Sequence, residues 1–96
     1  MRDYELVYIV HPEVDREGLS AVVDEVKALI EANGGTVREV KPWGLRRLAY
    51  PIQKAREGHY VYVEIGLEPE GVAEVERGLK LKEQVIRHLI VRTDEK

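Results

Sequence analysis

The chain has 96 residues, 44% hydrophobic and 34% charged, with a formal net charge of −3 and no cysteine. That length suits one domain, residues 1–96, and is too short for two cores; the apolar share is too high for a disordered chain. Without cysteine there can be no disulfide, thiolate zinc site, iron–sulfur cluster or cysteine nucleophile, and no apolar run approaches the roughly 20 residues of a membrane span.

The opening Met1-Arg2-Asp3-Tyr4-Glu5 is acidic where a signal peptide would be basic and then apolar. Tyr4 to Val10 is β-branched and aromatic and stops at His11-Pro12, so it reads as a strand. Asp15 is a suitable N-cap for the helix that follows, with Val14 and Leu19 at staple positions. Leu19, Val22, Val23, Val26, Leu29 and Ile30 repeat at helical spacing, and Asn33-Gly34-Gly35 ends the run. Thr36 to Ile52 is mostly extended. Pro42-Trp43-Gly44 interrupts it, which assigns this strand to a sheet edge or a bulge. Gln53 to Gly58 reads as a charged loop. His59 to Leu67 alternates, with Val61, Val63, Ile65 and Leu67 on one side and Tyr60, Tyr62 and Glu64 on the other. A second helix starts near Pro69 and buries Val72, Val75 and Leu79. Val85 to Val91 forms the last strand, with Ile86, His88 and Ile90 turned inward, and 93–96 is a short polar end.

The order β-α-β-β-α-β, with right-handed crossovers, predicts an α+β fold: the ferredoxin-like split β-α-β sandwich. Its four antiparallel strands take the order 4-1-3-2, and both helices cover one face. The other face must meet solvent or a partner. Strand parity puts Val7, Ile9, Tyr60, Tyr62, Leu89 and Val91 there, an apolar surface of the kind that marks a protein contact.

Charge is unevenly spread. From Thr36 to Gly58 six Lys and Arg stand against two Glu, a local excess of +4; from Lys80 to Arg92 four stand against Glu83, an excess of +3. An acidic chain can thus present one basic region to an anion. Catalytic chemistry is not in view. His11, His59 and His88 share no metal-ligand spacing, no glycine-rich phosphate loop follows a strand, and Ser20 has no neighbouring base. No enzyme, metal, cofactor or small-molecule substrate is expected.

The most distinctive stretch is Trp43-Gly44-Leu45-Arg46-Arg47-Leu48-Ala49-Tyr50-Pro51-Ile52-Gln53-Lys54. Together with Met1-Arg2-Asp3-Tyr4-Glu5 and Gly58-His59-Tyr60, it resembles the bacterial small-subunit ribosomal protein six family across nearly the whole chain. The chain ends at Lys96, so any longer polar tail of relatives is not carried over. The resemblance implies a structural constituent of the small ribosomal subunit. It would bind the central domain of small-subunit ribosomal RNA jointly with small-subunit protein eighteen, in the cytoplasm and away from membranes. Arg46 and Arg47 match the family motif and are the expected RNA contacts. Arg2, Lys54, Arg56 and Arg87 join them by charge, and Tyr50 by stacking or hydrogen bonding. The alternative is a single-strand RNA binder like the RNA-recognition motif, with Tyr60 and Tyr62 stacking bases.

Overall fold

Alternation in the first strand sets the two sides of the sheet. In the computed structural model, which describes residues 1–93, β1 (Arg2–Val10) buries Tyr4, Leu6, Tyr8 and Val10 on one side. Asp3, Glu5, Val7 and Ile9 alternate onto the other. Helix α1 (Arg16–Ala32) begins where the Asp15 carboxylate accepts the Gly18 N–H at 2.8 Å, and the chain turns after Asn33 through Gly34 at φ +81°. Its Val22, Val26 and Ile30 meet the buried side of β1. Strands β2 (Thr36–Ile52) and β3 (Ala55–Leu67) form a long hairpin. A 3-10 turn at Pro69–Gly71 leads into α2 (Val72–Lys80), which adds Val75 and Leu79 to the same core, and β4 (Val85–Arg92) ends the fold. The strands are antiparallel in the order β2-β3-β1-β4, with both helices packed on one face, as the element order predicts. Among the described residues, no helix is long and apolar enough to cross a membrane. The polar end expected over 93–96 lies outside the described residues except for Thr93, whose N–H donates to the Asp3 carbonyl.

Three expectations need correcting. First, the segment from Gln53 to Gly58 is not a loop: only Gln53 and Lys54, at φ +49° and +68°, make the turn, and β3 is already formed at Ala55. Two left-handed residues match the right-handed twist of the flanking strands, so the hairpin closes tightly. Second, Pro42-Trp43-Gly44 does not interrupt β2. The register shifts between Pro42 and Gly44, with Gly44 at φ +87°, so the strand absorbs its proline as a bulge on the sheet edge, and the edge position and the bulge are those expected of a proline-bearing strand. Third, Ile86 lies on the open face, not the helix side. The β1–β4 register shifts between Ile9 and Val10, which sends Val85 to the main core and Ile86 across the sheet.

Candidate functional site

The cations of the basic segment divide into matched and unmatched groups. Near the start of β2, the Arg38 guanidinium donates to Asp3, and the Lys41 ammonium lies 3.8 Å from both Glu39 and Glu64. Lys82 is paired with Glu25 at 3.1 Å. The exposed cations of the hairpin's far half (Arg46, Arg47, Lys54 and Arg56), together with Arg87 on β4, have no carboxylate partner among the described residues. Arg47, Lys54 and Arg56 line one open depression with His11 and Glu57; Arg47 and Arg56 also line a second one with Tyr50 and Pro51. Arg46 does not join them. Its guanidinium lies 5.7 Å from the Trp43 ring centroid and its Nε donates to the Trp43 carbonyl at 3.4 Å. Arg2 is set apart as well: it pairs with Leu67 at one end of β1, whereas Val10 at the other end pairs with His59 beside the hairpin arm.

The open face has two halves. Toward the hairpin, β2 loses its ladder between Arg47 and Ile52 and folds over the sheet. Leu48 then packs with Ile9, Ala55 and Ile86 in a second small core, with Ile52 and Tyr60 against it. Ile9, expected as a partner contact, is therefore 6% exposed and forms part of the protein's own interior. Beside this cluster runs an open groove of about 240 Å³, lined by Val7, Tyr60, Leu89, Tyr50 and Arg87 among others. At its lip the Arg87 guanidinium donates to the Tyr50 hydroxyl and lies 5.6 Å from that ring's centroid. Leu89, Val91 and Tyr50 are exposed. Val7, Tyr60 and Leu89 thus lie around this open apolar groove with Tyr50 and Arg87 at its edge, and Val91 is exposed on the same strand as Leu89.

The other half is aromatic and acidic. Tyr62 stacks on Trp43, with ring centroids 5.3 Å apart and planes 10° from parallel. The Tyr62 hydroxyl donates to Glu5 Oε2 at 2.6 Å, and the Lys41 ammonium lies 5.6 Å from the ring. That hydrogen bond, with desolvation and the charges of Glu5, Glu64 and Glu39, pushes the Tyr62 phenol up to about 12. Tyr60 and Tyr62 are thus not a bare stacking platform: one leans on the small core and the other lies against an indole among carboxylates that repel phosphate. This weighs against the single-strand reading. Trp43 was not singled out as a site residue from sequence. The chain's single tryptophan, set between a proline and a glycine within an extended run, was the available signal. Among the described residues no group of His, Asp and Glu could hold a metal ion.

A family model described as Ribosomal protein S6 matches residues 3–92, from β1 to the end of β4. The chain is 40% identical over 94 residues to the small ribosomal subunit protein bS6 of Carboxydothermus hydrogenoformans, covering 98% of each chain. It is 44% identical over 95 residues to bS6 of Moorella thermoacetica, covering 99% of this chain and 97% of that one. The crystal structure of 30S ribosomal protein S6 from Thermotoga maritima matches with a TM-score of 0.92 at 30% identity, over 97% of this chain and 88% of the other. Sequence and backbone agree along the whole described fold: the chain belongs to the S6 family of bacterial small-subunit ribosomal proteins, structural components of the ribosome and not enzymes.

Proposed function

We infer that this protein binds the central domain of small-subunit ribosomal RNA jointly with small-subunit protein eighteen. The observation that carries this reading is the adjacency of two unsatisfied surfaces. A rim of cations without carboxylate partners lies next to an uncovered apolar groove, on a chain whose net charge is −3. Contacts to phosphate and sugar position a protein on folded RNA and carry little sequence information. A rim of this size neutralises only a few phosphates, so the acidic chain needs a basic co-binder to hold RNA at physiological salt. The apolar groove gives that co-binder a place to dock. Arg47, Lys54 and Arg56 are the candidates for the RNA side, Arg46 stands beside Trp43, and Tyr50 and Arg87 lie at the boundary; Arg2 is remote from both.

The test is filter binding of a central-domain RNA fragment, with and without protein eighteen. Affinity should rise at least tenfold when protein eighteen is added, and the two proteins should co-elute before any RNA is present. Tight binding of short single strands by this protein alone would overturn the reading.

A further inference from the structure

Arg46 and Arg47 are sequence neighbours, and successive strand residues point to opposite sides. Arg46 turns to the open face, where its guanidinium lies 5.7 Å from the Trp43 ring centroid. Arg47 turns the other way and shares a depression of about 630 Å³ with Lys54, Arg56 and the His11 turn, where Glu13 and Glu57 also line the wall but neither forms an ion pair with Arg47 or Arg56. We propose that Arg47, Arg56 and Lys54 form the phosphate-binding site for RNA on the outer side of the hairpin, and that Arg46 is no phosphate ligand but a positioning residue for Trp43. The proposal rests on the RNA-binding reading above and assigns different work to the two arginines of its motif.

Existing contacts separate the two arginines. The cations Arg38, Lys41 and Lys82 each have an acid within ion-pair distance. Arg47 and Arg56 stand side by side in two adjoining depressions without one, although Glu57 sits opposite Arg47 in the ladder. Adjacent like charges repel unless an anion lies between them. Guanidinium groups offer planar multi-donor contacts that suit phosphate oxygens, and Lys54 adds a point charge at the turn. Arg46 already has two intramolecular partners, the indole face and the Trp43 carbonyl. Bringing it to a phosphate would give up both of its contacts to Trp43, which is stacked on Tyr62.

The experiment measures the binding of central-domain RNA, with protein eighteen present, across a series of salt concentrations. Each phosphate contact removed should flatten the log–log salt slope by about 0.7–0.9. Arg47→Gln and Lys54→Asn should each lose about that much, and Arg47→Lys should recover it; asparagine tolerates the left-handed turn at position 54. Arg46→Gln should keep the wild-type slope while changing Trp43 emission. A slope loss for Arg46→Gln equal to that for Arg47→Gln, or no loss for Arg47→Gln, overturns the proposal and leaves the RNA reading standing. Failure of the wild-type protein to bind the RNA with protein eighteen overturns that reading and this site with it.

Discussion

Gly58 lies on β3 one residue past the end of its ladder with β1, and an added Cβ there would sit 2.4 Å from Ile9 Cγ2 and 3.1 Å from the Val10 carbonyl oxygen. Gly58→Ala therefore tests whether the small core on the open face is tightly packed. The nearest atom belongs to a β-branched side chain, which is stiff about χ1, and the next belongs to the backbone; neither yields easily. Overpacking of this kind costs about 1–3 kcal/mol. Alanine also restricts the unfolded chain, which offsets about 0.4–1 kcal/mol. The net expectation is a destabilisation of about 1–2 kcal/mol, or a fall in Tm of roughly 5–15 °C for a domain of this size. Urea unfolding, followed both by Trp43 fluorescence and by circular dichroism, would measure it. The cause is isolated by a double-mutant cycle: in the Ile9→Ala background the clashing methyl is gone, so Gly58→Ala should cost at least 0.5 kcal/mol less, within the usual range for touching residues. A Gly58→Ala protein as stable as wild type, or a cost unchanged by Ile9→Ala, would refute the reasoning.

Two further outcomes follow from the hydrogen bonds. The Tyr62 phenol, held neutral chiefly by its bond to Glu5, should ionise at about pH 12 and not near 10, visible as a late step in ultraviolet titration that is missing in Tyr62→Phe. Because the folded pKa is raised, the stabilisation linked to Tyr62 is complete below pH 10 and is lost as pH climbs from 10 through about 12. A normal phenol titration would remove the Glu5 contact from the account. Asp15→Ala should cost about 1 kcal/mol by freeing the Gly18 N–H, with Asp15→Asn recovering most of it. Equal stabilities of Asp15→Ala and wild type in thermal melts would show that the cap contributes nothing.

The helix-facing half of the molecule was legible in the sequence because its signals are periodic. Val61, Val63, Ile65 and Leu67 alternate, the α1 stripe repeats at helical spacing, and Asp15 and Gly34 mark the ends of that helix. The open face was legible only in part, because irregularities of register break periodicity there. One shift at Ile9/Val10 moves Ile86 across the sheet, and the lost ladder after Arg47 lays Leu48 over Ile9. No spacing rule locates a bulge of that kind. The charge count picked out a basic segment of chain but could not show that Arg38 and Lys41 answer Asp3 and Glu64, since those pairs depend on how the strands are laid side by side.

The buried Leu48, 7% exposed, ties down the stretch between Arg47 and Tyr50. A finger of chain rich in cations would ordinarily sway in solvent, and seizing a ligand would then mean freezing its main chain at about 1–2 kcal/mol for every residue. Here that ordering is completed during folding. What is left to immobilise on contact is side-chain rotation, at about 0.5–1.5 kcal/mol apiece. Leu48, together with the β2–β3 ladder, thus fixes the main chain of the arm within the fold, so its charged flank and its greasy flank are set in place by folding itself.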